Sequence, residues 1–165
     1  MELGNFLYTV GTTFGVGTDA STSTNAAQLL RAAPGEIGHL VPAGYLVEGS
    51  PGRGNAAVCP WVSFFDPDET TSATRGMYLV YLLAEDRKTF VLSLNQGVTE
   101  ITKALGAREA RERLAAQAEA IREALPVEAP DGLGHDDRSR RPIGIAPVLR
   151  GRQPLGHHLR DCRAA

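Results

Sequence analysis

Three apolar runs follow one another in the middle of the chain with only short polar connections between them, and this restricts the fold more than any other feature. The runs are "AAVCPWVSFFD" at 56–66, "MYLVYLLAE" at 77–85 and "TFVLSLNQG" at 89–97. They are of strand length and rich in valine and aromatic residues. The link "DPDETTSATRG" (66–76) has turn chemistry throughout, and "EDRK" (85–88) reads as a polar hairpin turn. Adjacent strands joined in this way form an antiparallel meander. Pro60 lacks an amide proton and suggests an edge or a bulge. The nearly unbroken run at 77–85 reads as a strand covered on both faces. In the third run Phe90, Leu92 and Leu94 alternate with Val91 and Ser93, while "GYLVEGS" (44–50) supplies a further strand upstream.

Helical spacing appears on either side of the strands. "STNAAQLLRAAPGEI" predicts a short helix capped by Ser23 or Thr24, with Leu29 and Leu30 toward the core and Pro34-Gly35 ending it. Residues 1–24 are rich in Gly, Thr and Ser and give no firm assignment. Downstream, "EITKALGAREARERLAAQAEAIREAL" follows Thr99, read as the N-cap. Leu114, Ala118, Ile121 and Leu125 form its apolar stripe, with Glu112, Arg122 and Glu123 on the solvated side. Gly106 weakens the first turns and invites a split into two helices; Pro126 ends the pattern. The fold expected is therefore α+β, a small and largely antiparallel sheet with helices packed against it.

Residues 1–125 are expected to form one domain, clearest over 44–125. From 126 to 165 the chain turns to Pro, Gly, Arg and His with little periodicity, and seven arginines face four aspartates between 129 and 165. This part is expected to be a poorly ordered, low-order tail. Reading GC-rich DNA out of frame produces similar usage, which inspection of the encoding locus tests.

Bulk properties narrow the function classes. A chain of 165 residues with 42% hydrophobic and 22% charged residues has the composition of a soluble globular domain. A formal charge of -2 does not advertise a nucleic-acid partner, although a local basic patch binds phosphate on a neutral protein. Cys59 and Cys162, the two cysteines, make neither a metal-ligand spacing nor a disulfide framework. Cys59 reads as a buried free thiol, which fits a reducing cytoplasm. No targeting segment or membrane span is visible, so no membrane partner is expected.

Catalytic patterns do not emerge. His39, His135, His157 and His158 lack metalloprotease spacing, and "DPDE" (66–69) reads as a solvated turn rather than a metal site. "GRGN" (52–55) is followed neither by Gly-Lys-Ser/Thr nor by a helix, so it is not a phosphate-binding P-loop. No nuclease motif is found, and neither a cofactor nor a metal is expected. What remains is the loop "SPGRGN" running into the strand that holds the single tryptophan. Glycines 49, 52 and 54 allow close backbone approach to a partner. Arg53 at the tip can donate to phosphate or stack on a base, and Asn55 can both donate and accept. Trp61 and Tyr78 on neighbouring strands are either walls of a flat pocket or simply core.

The segment "EGSPGRGNAAVCPWVSFFDPDETTSATRGMYLVYLLAEDRKTFVLSLNQGVTE" resembles the N-terminal DNA-binding domain of McrB, the modified-cytosine-dependent restriction protein. It is still closer to the McrB-like (MrcB) reader domains of bacterial type IV restriction systems. The landmarks are Gly52, Gly54 and Asn55, the Pro60-Trp61 pair, Phe64 and Phe65, the Gly76 and Tyr78 start of the next strand, and "LSLNQG" at 92–97.

The resemblance implies a reader that flips modified cytosine out of duplex DNA. Trp61 and Tyr78 would lie in or near the base pocket, and Leu82 would be an apolar contact to the modified base. The residue between the two loop glycines would fill the vacated space; it is aromatic in McrB and arginine, Arg53, here. Arg75 and the tail arginines would contact phosphates. The family pattern also implies a longer helical region before the "EGS" strand and a C-terminal continuation, often leading to a nuclease or GTPase module; neither is recognisable in this sequence, so cleavage would need a nuclease or GTPase partner. A different class of function stays open: a structural or protein-interaction module that kept the fold and lost the pocket, or a decayed fragment that kept the fold without DNA binding.

Overall fold

The computed structural model describes residues 1–15, 24–52, 57, 59–84, 87, 89–124, 133–135 and 147–149. Its centre is a four-stranded sheet in the order β1-β2-β3-β4, formed by Leu46–Ser50, Trp61–Phe65, Met77–Leu83 and Phe90–Gln96. All three pairings are antiparallel, so the expected meander is present with the upstream strand added at one edge. Pro60 corrects its own expectation. It sits one residue before β2, which is an inner strand, and its carbonyl accepts from the Leu83 amide at 2.9 Å. Placed there, the missing amide proton costs the ladder nothing.

Three helices precede the sheet: α1 (Leu3–Thr13), α2 (Asn25–Arg31) and α3 (Ala33–Ile37), followed by a 3-10 turn at Gly38–Leu40. The chain upstream of the "EGS" strand is thus helical, where the sequence shows one short helix. In α1, Phe6 and Val10 are one helical turn apart and fully buried, with Phe14 one turn further. That spacing outweighs the Gly and Thr content that masked the helix in the sequence. Thr9, Thr12 and Thr13 tie their hydroxyls back to carbonyls one turn earlier. Thr24 caps α2 by accepting from the Ala27 amide at 3.3 Å. Pro34-Gly35 does not terminate the helical stretch. Pro34 occupies the first turn of α3, where a missing N–H has no intrahelical partner to lose.

These helices cover one face of the sheet. Phe6, Val10, Phe14, Leu30, Ala33 and Ile37 pack with Val47, Val62 and Leu83 in the main core. The approach is close at Gly49, where an added Cβ would lie 2.0 Å from the Leu30 carbonyl oxygen. Coverage is incomplete, because Leu79 on the same face of β3 remains 45% exposed. The strand expected to be covered on both faces is therefore covered only in part. At the β3–β4 turn Arg87 adopts φ 58 and places its guanidinium 4.8 Å from the centroid of the Phe14 ring. That contact anchors the end of α1 to the hairpin.

Helix α4 runs from Thr99 to Ala124 and is broken at Gly106, whose φ of 80 and ψ of 163 are not helical. The split anticipated at this glycine is present. Thr99 is the first helical residue rather than the cap, since the Thr102 amide bonds the Val98 carbonyl. Leu114 is buried and Ala118 and Ile121 are half-buried, with Ala110 an additional buried position on the stripe. Two three-residue strands, β5 (Leu133–His135) and β6 (Pro147–Leu149), pair antiparallel. Most of the tail, with the order expected of it, lies outside the described residues.

Candidate functional site

The second face of the sheet carries a regular grid of side chains, fixed by strand register. One row runs Ser50, Trp61, Leu82, Val91; the next runs Glu48, Ser63, Val80, Ser93. Beyond it lie Leu46 opposite Phe65 and Tyr78 opposite Asn95. Phe65, Tyr78 and Val80 form a separate apolar cluster on which Trp61 and Leu82 pack. None of the described residues in this cluster comes from α1, α2 or α3.

Register decides which predicted site residues meet. Trp61 and Leu82 are direct cross-strand partners, both half-buried. Tyr78 shares their face but lies four residues from Leu82, roughly 13 Å along the strand. Its ring meets Phe65 instead, centroid to centroid at 5.3 Å, and it is 95% buried by complement of its 5% exposure. Burial pushes the Tyr78 phenol above its ordinary range; a hydrogen bond with Asn95 opposes the rise and the Glu48 carboxylate adds to it. The Trp61–Leu82 pair thus forms an apolar surface next to the glycine loop, and Tyr78 anchors the far end of the same strip.

Of the loop itself, Gly52 is described. Its φ is 109 and its amide donates to Ser50 Oγ at 3.3 Å. Arg53, Gly54 and Asn55 lie outside the described residues. Arg75 is exposed on a tightly braced turn. The Thr70 hydroxyl donates to the carbonyls of Ser72 and Arg75 at 3.1 and 3.0 Å. On the other side Gly97 sits against the Arg75 backbone, where an added Cβ would lie 2.1 Å from the Arg75 nitrogen. The Thr74 carbonyl accepts from the Glu100 amide at 3.1 Å, joining this turn to the start of α4. An arginine on such a mount can meet phosphate without first ordering its backbone.

The "DPDE" turn is held by its own hydrogen bonds. Asp66 accepts from the Tyr45 hydroxyl at 2.9 Å and from the Asp68 amide at 3.0 Å. Together with Ala43, Gly44 and Pro67 these residues line an open cleft of about 430 Å³. Its two carboxylates repel phosphate. Among the described residues no group of three or more His, Cys, Asp or Glu converges as metal ligands, and no helix is long and apolar enough to cross a membrane.

Cys59 requires a correction. It is buried at 8% exposure and disulfide-bonded, not a free thiol. Sequence spacing does not report which distant thiols meet in space. A bonded Cys59 gives no support for a reducing compartment.

The polar part of the grid had no signal in the sequence. Ser63 and Ser93 look like ordinary strand serines, yet they are 0% and 1% exposed. Ser93 Oγ donates to Asn95 Oδ1 at 2.7 Å, whereas Ser63 Oγ is buried with no hydrogen-bond partner.

Residues 18–138 match the MrcB-like N-terminal domain. No curated protein and no solved structure matches the chain.

Proposed function

The chain belongs to the MrcB-like N-terminal domain family, and from that premise we propose that it is the DNA-recognition module of a type IV methyl-directed restriction system. In this reading it binds duplex DNA carrying modified cytosine and turns the base out of the stack. The observation that carries it is the Trp61–Leu82 pair, set on the sheet face away from α1–α3 and directly downstream of a loop that Gly52 opens at φ 109. Extruding a base costs a few kcal/mol, and an aromatic face with an apolar neighbour offsets part of that cost. Arg53 would enter the vacated space or bind its phosphates, Asn55 would supply a polar loop contact, and Arg75 would hold the backbone. Tyr78 supports the pocket from the far end of the strip. Such a module inspects DNA in the cytoplasm and leaves cleavage to a nuclease or GTPase partner.

Electrophoretic shift with matched duplexes carrying methylated, hydroxymethylated or plain cytosine tests the reading. A preference for one modified duplex is expected; equal binding, or none, to all three removes the proposal. Trp61→Ala should abolish the preference for modification, while Arg53→Ala should weaken binding to every duplex. Incubated alone with modified DNA and a divalent metal, the protein should not cleave.

A further inference from the structure

Resting on that reading, we propose that Ser63 and Glu48 read the hydrogen-bonding edge of the extruded base and restrict the pocket to cytosine. The two are direct partners across β1 and β2, with side chains on the face that carries Trp61. Opposed positions in an antiparallel pair hold their Cβ atoms roughly 5 Å apart, so both can reach one planar ligand. Ser63 Oγ is fully buried and unpaired. A buried hydroxyl without a partner destabilises a fold, and a plain core would carry alanine there. Its neighbour two strands away, Ser93, is satisfied by Asn95, so the orphan is not a general property of this row. Glu48 is exposed, and its carboxylate acts on the Tyr78 phenol, which places its charge along this strip.

The chemistry matches one class of base. Cytosine presents an exocyclic amine beside the N3 acceptor, whether or not C5 is modified. A carboxylate only accepts, so Glu48 suits the amine, and the Ser63 hydroxyl can donate to N3. Thymine and its C5-substituted relatives reverse both groups, offering O4 to a carboxylate and N3–H to the serine. The serine can turn its hydroxyl round; the carboxylate cannot. Glu48 therefore carries the discrimination, and Ser63 fixes the base from a buried position. Trp61, two residues before Ser63 on the same face of β2, is half-buried and borders this position.

The test uses the full chain and two duplexes that differ at one position opposite guanine. One carries the modified cytosine that the protein binds best. The other carries the uracil analogue with the same C5 substituent, thymine for methyl or 5-hydroxymethyluracil for hydroxymethyl. The mismatched analogue opens more easily, so a pocket blind to the edge favours it. The unsubstituted protein should favour the cytosine duplex. Glu48→Gln and Ser63→Ala should each reduce that ratio by about tenfold while keeping the preference for modified over plain cytosine. Ser63→Ala should melt no lower than the parent, because it removes an unpaired buried hydroxyl.

Unchanged ratios in both variants overturn the proposal and leave the modified-cytosine reading intact. So does a fall in melting temperature for Ser63→Ala that accounts for its binding loss. A parent protein that does not separate modified from plain cytosine overturns both.

Discussion

Trp61 faces Leu82 across β2 and β3, while Tyr78, on the same face of β3, turns its ring to Phe65 at 5.3 Å. The three residues that the family resemblance groups around a base are thus of two kinds. Trp61 and Leu82 are half-buried and able to meet a ligand; Tyr78 is built into the packing beneath.

The first consequence concerns Leu82. Shortening it leaves the tryptophan face but removes the apolar contact opposite. Leu82→Ala is expected to lower the ratio of modified to plain cytosine binding by about tenfold, the scale of a missing methylene contact or two. Competition binding with the two duplexes measures the ratio, and circular dichroism confirms that the variant is folded.

Tyr78 and Tyr81 make stability fall in alkali. Burial raises both phenols above their usual value near 10, so the folded state favours the neutral form. That contribution is fully present below the unfolded-state pKa of about 10 and is lost as pH rises through the higher folded-state values. Urea midpoints taken between about pH 9 and 11.5 should decline, and Tyr78→Phe should flatten the decline. Tyr78→Ala, which empties an aromatic core position, should cost about 3–5 kcal/mol at neutral pH.

Arg75 is expected to act through phosphate alone. Arg75→Ala should weaken binding to all duplexes alike and reduce the slope of log K against log salt by about 1. Titrations at several salt concentrations measure it. A change confined to modified DNA would contradict a backbone role.

Gly49→Ala tests the seam between helices and sheet. A methyl group there meets the Leu30 carbonyl at 2.0 Å, backbone that cannot rotate away. A loss of about 1–3 kcal/mol, or more, is expected in chemical denaturation. DNA preference should survive in the folded fraction, since Gly49 lies on the face opposite Trp61.

Cys59 lies two residues before Trp61, and the second cysteine in the chain is Cys162. Non-reducing peptide mapping of protein prepared without reductant should recover Cys59 as a cystine. Recovery of a free, alkylated Cys59 from such a preparation would contradict the bond.

The sequence by itself determined the kind and order of the central elements. Alternation and turn chemistry between 44 and 97 are local signals, and they set the four strands close to where they lie. The Thr24 cap and the break at Gly106 are local too, and both were readable. Helix α1 carried a readable signal as well, Phe6 and Val10 at helical spacing, hidden by its glycines and threonines. Tertiary structure alone decided the rest. Register paired Trp61 with Leu82 and sent Tyr78 to Phe65, joined Cys59 in a disulfide, and closed a fully buried, unpaired hydroxyl at Ser63. The physical reason is range. A side-chain period is written within a few residues, whereas the partner across a strand comes from a distant segment and is chosen by the packing of the whole sheet.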